Sequence, residues 1–118
     1  MTISCAAAPP QPTSLNYSNS THGLCSISGS VMSTITGSHD ECGGSYTETW
    51  TFTDPCHRTI THSRTITVTP APEAYFVLLP QNTSLPCSAA PPVPSTLAYT
   101  NGATGVCLIS GSVLSSIN

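Results

Sequence analysis

The sequence predicts an all-β protein: a β-sandwich unit, repeated in tandem and stapled by disulfides. Three observations carry that expectation. Residues 1–36 align without a gap on residues 83–118 at an offset of 82, and 18 of the 36 positions are identical, Cys5/Cys87, Pro9/Pro91, Tyr17/Tyr99, Gly23/Gly105, Cys25/Cys107 and Gly29/Gly111 among them. Long stretches alternate in period two, the pattern of half-buried strands, and no stretch has helical periodicity. Six cysteines stand in a chain with no Lys and with 18 each of Ser and Thr, a composition that suits an oxidising compartment.

Prolines and glycines divide the unit into strands. Residues 13–18 form a short strand, followed by the turn-rich Asn19–Gly23 segment. Residues 26–36 read as one strand, alternating Ile27, Val31 and Ile35 against Ser28, Ser30 and Thr34. After a Gly-rich loop, residues 46–53 set Tyr46, Glu48, Trp50 and Phe52 on one face and Thr47, Thr49, Thr51 and Thr53 on the other. Asp54-Pro55 breaks this strand, and residues 59–69 resume with Ile60, His62, Arg64, Ile66 and Val68 on one face. Pro70 and Pro72 stiffen a linker, so that neighbouring units extend from one another. The apolar run Tyr75–Leu79 opens the second copy. The unit boundaries are thus 1–70, a first repeat lacking its N-terminal strand, and 71–118, the start of a second. Each leaves a sheet edge open to strand donation.

Composition excludes several functions. Charged residues are 6% of the chain, the net charge is −3, and Arg58 and Arg64 are the only bases. Such a surface cannot neutralise phosphates, so nucleic acid is excluded as a partner. No run of about 18 apolar residues predicts a membrane span, and no charged-then-apolar leader predicts a signal peptide in this stretch.

One unit carries Cys5, Cys25, Cys42 and Cys56; Cys87 and Cys107 belong to the next. The absence of C-x-x-C and of zinc-finger His spacing argues against a closed zinc site. If the four strands run up, down, up, down, Cys25 and Cys56 lie at one end and Cys5 and Cys42 at the other. Cys42 and Cys56 flank a strand spanning roughly 26 Å, too far for a disulfide, whose Cα atoms lie within about 7 Å. The expected pairs are therefore Cys5–Cys42 and Cys25–Cys56, with Cys87 and Cys107 bonded to partners outside the chain. A rival pairing, Cys5–Cys25 repeated as Cys87–Cys107, would close every thiol inside the chain and stays open.

The segment YTETWTFTDPCHRTITHSRTITVTP resembles the HYR-like, immunoglobulin-type repeats of very large Bacteroidota surface proteins, including the SprB-type gliding adhesins exported by the type IX system. The match lies in Thr49-Trp50-Thr51, Thr53-Asp54, Cys56, Thr65-Ile66-Thr67-Val68 and Leu85-Pro86-Cys87. The chain departs at Thr21–Cys25, where the family has an acidic T-D-N-C turn, and at Pro55–Arg58, where it has A-C-G-N. Acidic turns that would hold calcium are reduced to Asp40, Glu41 and Asp54. The resemblance implies Ig-like sandwiches in an extracellular or cell-surface adhesin or filament, serving adhesion and gliding as a mechanical stalk. Its partners are then neighbouring repeats or further copies in a filament, or a surface polysaccharide.

Residue by residue, structural roles lead. Trp50, Tyr46 and Phe52 fill the sandwich core rather than form a sugar platform, because the opposite face is uniformly Thr. If Phe52 pairs with Ile60 and Trp50 with His62, Glu48 falls opposite Arg64 as a cross-strand ion pair. No catalytic constellation, cofactor or metal site is expected: His22, His39, His57 and His62 are scattered, and no nucleophile elbow supports a triad. The alternative readings are a carbohydrate-binding sandwich and a self-assembling fibre subunit linked by strand donation; a hydrolase, the third hypothesis, has no residue constellation to support it.

Overall fold

The computed structural model describes all 118 residues, Met1–Asn118. Its strands are β1 (Thr2–Ile3), β2 (Ser14–Ser18), β3 (Ser28–Met32), β4 (Thr34–Asp40), β5 (Gly43–Thr53), β6 (Thr59–Val68), β7 (Tyr75–Phe76), β8 (Thr96–Thr100) and β9 (Ser110–Leu114). Two single 3-10 turns, Gly23–Cys25 and Gly105–Cys107, accompany them. The fold is all-β, as the alternation requires. Three sheets form, with orders β1-β6-β5-β4, β2-β3 and β7-β8-β9. Only β1 and β6 run parallel. The molecule is a rod of 98 × 18 × 16 Å.

The β5–β6 hairpin organises the largest sheet. Its register pairs Phe52 with Ile60, Trp50 with His62 and Glu48 with Arg64, as the alternation predicts. The hairpin closes on Asp54, whose Oδ1 accepts the Cys56 and Arg58 amides, each at 2.9 Å, while Arg58 Nε donates to Oδ2 at 2.7 Å. These hydrogen bonds, the Arg58 amide foremost, hold the Asp54 carboxyl below its ordinary range. On the outer face the hydroxyl pairs Thr49–Ser63 and Thr53–Thr59, each at 2.9 Å, bridge the strands.

One expected strand is two. The stretch 26–36 breaks at Ser33, so β3 pairs with β2 while β4 pairs with β5 in the other sheet. Ser33 is buried; its Oγ accepts the Thr13 amide at 2.9 Å and donates to Glu48 Oε1 at 2.7 Å. These side-chain bonds tie the transition to both β5 and the start of β2. Consecutive strands still pair antiparallel, as the up-down order requires, but the second of them changes sheet in mid-course.

The β2-β3 ribbon lies over β5. Tyr17 stacks on Phe52 with ring centroids 3.7 Å apart, and Trp50 Nε1 donates to the Thr13 carbonyl at 2.9 Å. Trp50 is 7% exposed, which makes it core.

The strands β8 and β9 stand 82 residues beyond β2 and β3, and they repeat the same register: Tyr17 opposes Gly29, and Tyr99 opposes Gly111. Each tyrosine ring lies across its glycine. A Cβ at Gly29 or Gly111 would come within 2.7 Å of the phenol oxygen, so the ring occupies the space a side chain would take. The apolar run that opens the second copy is shorter than expected. Tyr75–Phe76 pair with β8, the Val77 amide adds one bond to the Ala98 carbonyl at 3.0 Å, and the side chains of all five residues, Tyr75–Leu79, are exposed. The large sheet that could cover them occurs once in the chain.

Only nine of 118 residues are buried, so cross-links and hydrogen bonds carry much of the order. The one apolar cluster comprises Cys5, Val68 and Cys107, flanked by Ile3, Tyr46, Ala71 and Ala103. It sits where the first copy of the repeated sequence meets the second.

Candidate functional site at the disulfide junction

The chain has one disulfide, Cys5–Cys107, with 5.9 Å between the Cα atoms and a sequence separation of 102. Cys5 follows β1 in a turn closed by the Ala7 amide on the Ser4 carbonyl at 3.0 Å. The turn is fixed because β1 lies parallel to β6, the Thr67 and Thr69 amides donating to the Met1 and Ile3 carbonyls at 2.9 Å each. Cys107 ends the second 3-10 turn. Its loop is tied down by Asn101, which is 7% exposed. Asn101 Nδ2 donates to the Cys107 carbonyl at 2.9 Å and to the Pro72 carbonyl at 3.1 Å; its Oδ1 accepts the Ala103 and Ile109 amides at 3.1 and 3.0 Å. The linker thus joins the site. Pro70 and Pro72 line the same depression as Cys5 and Cys107, and the Ala71 amide donates to the Glu41 carbonyl at 2.9 Å.

This bond corrects the expected connectivity. Cys5 does not pair with Cys42, which is exposed in the β4–β5 turn with its amide on Asp40 Oδ1 at 2.9 Å. Cys25 and Cys56 are exposed and unbonded rather than paired, and the rival pairs Cys5–Cys25 and Cys87–Cys107 do not form either. Cys107 finds its partner inside the chain. Cys87 is free and exposed. Cys5 does lie at the β4–β5 end, its Sγ 3.5 Å from the Asp40 carbonyl, but the second copy packs there as well and brings Cys107 to it, a partner that a reading of one unit alone does not contain.

His39 is the residue that sequence reasoning missed. A ring nitrogen of His39 lies within 4.8 Å of both disulfide sulfurs. Its Nδ1 is hydrogen-bonded to the Tyr46 hydroxyl at 2.8 Å, and Nε2 is buried without a partner. Tyr46 therefore serves the junction as well as the β5–β6 hairpin.

The ion pair stands as expected. Arg64 Nε donates to Glu48 Oε2 at 2.6 Å, and Arg64 also lies 5.7 Å over the Trp50 ring. Glu48 Oε1 accepts Thr13 Oγ1 at 2.6 Å and Ser33 Oγ at 2.7 Å. The Thr13 hydroxyl is the largest influence; with Ser33 and Arg64 it outweighs desolvation and draws the carboxyl down to about 2. Its oxygens are bound to structural partners.

A cleft of about 310 Å³ opens between the ribbon and the hairpin, lined by Tyr17, Phe52, Ile60, Ile27, Asp54 and Arg58.

Comparison with family models, curated proteins and solved structures finds no significant match. What the site can do follows from its own chemistry: it joins two copies of one sequence covalently, end to end, through a small apolar seal.

Proposed function

We propose that the chain is a load-bearing segment of an extracellular, cell-surface adhesin or filament, built of tandem Ig-like β-sandwich units. Each unit sets a four-stranded sheet against a ribbon, and successive units meet at a covalent junction. The observation that carries this reading is the Cys5–Cys107 bond, which links the base of one copy to a loop of the next in a rod 98 Å long and 18 Å wide. Side chains that elsewhere serve chemistry are here engaged in structure: Glu48 with Arg64, Asp54 with Arg58. The scarcity of charge and the two Arg residues suit a protein exposed to proteases outside the cell. Adhesion and gliding enter through the resemblance of the Trp50–Val68 region to SprB-type repeats.

Electron microscopy of chains lengthened by whole 82-residue units tests the reading. Length should grow by a constant increment at unchanged width; compaction into a globule would refute a stalk.

A second reading, carbohydrate binding, draws on the cleft beside Tyr17 and Phe52. Titration with surface polysaccharide, followed by Trp50 fluorescence, distinguishes it. In a longer array the cleft has another use. The pairing of Tyr75 with Thr100 and Phe76 with Tyr99 implies that a preceding unit's counterpart strand lies along Ser18 and Tyr17 and borders this opening.

A further inference from the structure

The offset of 82 residues extends to the backbone turns that carry the cysteines of the repeated segment, although β1 before Cys5 has no counterpart strand before Cys87. Cys25 ends the turn Gly23–Cys25 as Cys107 ends Gly105–Cys107, each turn closed at 3.1 Å by the amide of the next residue, Ser26 or Leu108. Asn19 holds the first loop as Asn101 holds the second. Its Nδ2 donates to the Cys25 carbonyl at 2.8 Å, and its Oδ1 accepts the Thr21 and Ile27 amides at 3.2 and 3.0 Å. The turn of Cys87 is closed by Ala89 on Pro86 at 3.0 Å, just as that of Cys5 is closed by Ala7 on Ser4.

Each free thiol of this pair therefore sits in the frame of a bonded one. They differ in cover. Cys5 and Cys107 are 5% and 3% exposed because the two copies enclose them, whereas Cys25 and Cys87 are open to solvent.

We propose that Cys25 and Cys87 are the open ends of a disulfide ladder. Cys87 bonds the Cys107 counterpart of the following unit, and Cys25 bonds the Cys5 counterpart of the preceding one. The partner is another copy of the 82-residue unit, complete with its equivalent of β4–β6; this rests on the tandem-array reading. Each rung forms by exchange with an oxidised dithiol carrier of the thiol–disulfide oxidoreductase class. One thiolate attacks a carrier sulfur to give a mixed disulfide, and the second thiolate then attacks the unit's sulfur and expels the carrier. Two protons and two electrons leave the unit, and the carrier departs as the dithiol.

The ladder changes what tension can do. Between one rung at Cys107 and the next at Cys87 the shortest covalent path is 20 residues, not the 82 of the repeat. Fully drawn out, 20 residues span about 70 Å. Scaling the 98 Å rod from 118 residues to 82 gives a folded unit of roughly that length. An array with every rung closed is close to inextensible even if its sheets come apart.

The test is a chain extended at its C-terminus by one more copy of residues 37–118, oxidised, alkylated and peptide-mapped without reduction. The expected result is Cys5–Cys107 retained and Cys87 linked to the added counterpart of Cys107, with Cys25 alkylated. Cys87 found alkylated, or bonded to Cys42 or Cys56, overturns the ladder. Force spectroscopy on a longer array gives an independent measure. Unfolding steps on the order of 200 Å per unit should appear only after reduction, and such steps before reduction overturn the ladder too. Rod length by microscopy stands apart from both readouts, so a rod with open rungs refutes the ladder and leaves the stalk.

Discussion

Glu48 and Arg64 stand opposite each other on β5 and β6, and the carboxylate of the first, 0% exposed, receives the guanidinium of the second at 2.6 Å. Thr13 and Ser33 complete the shell from the other side. One side chain thereby ties together the hairpin, the sheet-switching residue and the start of the ribbon.

Acid should loosen this tie. The Glu48 carboxyl titrates near 4.5 when unperturbed and near 2 in the fold. Between those values the unfolded chain binds the extra proton, so the group's contribution is complete above about pH 4.5, declines as pH falls, and is gone below about 2. Melting temperature followed from pH 7 to pH 2 should fall through that window. Glu48→Gln should start lower at pH 7 and lack this part of the decline; parallel curves would contradict the assignment.

Ser33→Ala removes a buried hydroxyl that both accepts and donates. A loss of about 1–3 kcal/mol is expected, because the Thr13 amide and the Glu48 carboxylate each lose a partner. Urea unfolding measures it, and a loss below about 0.5 kcal/mol would mean that water substitutes fully.

Cys5→Ser opens a loop with a sequence separation of 102. By chain entropy the cost is about 3–5 kcal/mol. Small-angle scattering should also change from a radius of gyration of 26.9 Å, as the second copy loses its anchor. An unchanged profile would mean that the linker and Asn101 suffice.

His39→Gln keeps a group able to bond Tyr46 but removes the imidazole near both sulfurs. Re-formation of Cys5–Cys107 from the reduced chain should slow about tenfold or more, since disulfide exchange proceeds through thiolates that a neighbouring base generates. Quenched alkylation at timed intervals reads the rate; equal rates would leave His39 a packing role only.

His57 adopts φ +67° in the β5–β6 turn, a conformation that costs a side-chain-bearing residue more than glycine. His57→Gly should therefore stabilise the chain by about 1 kcal/mol, seen as a higher urea midpoint. A lower midpoint would show that the imidazole contributes contacts worth more than the strain.

The hairpin register was legible because it depends on local information. Perfect alternation on both arms and a single Asp54-Pro55 break leave little choice for where Glu48 and Arg64 meet. The break at Ser33 was not, since the alternation of Val31 and Ile35 runs straight through it and the cause lies in Thr13 and Glu48, remote in sequence. The disulfide was hidden for the same reason. It depends on a two-residue parallel strand, and Thr2–Ile3 carries no pattern long enough to announce one. The repeat itself, however, marks the two loops that the structure builds alike, down to Asn19 and Asn101.

The cluster that shelters Val68 includes Cys107 and Ala103, residues of the copy that follows it. In the proposed array a unit's floor would thus be completed by its successor, which would give the assembly a direction. During synthesis from the N-terminus, each new unit would complete the one already made and itself be left unfinished. The last member of such a series needs a differently shaped cap, a plug rather than another link, to close the hollow beneath its own counterpart of Val68.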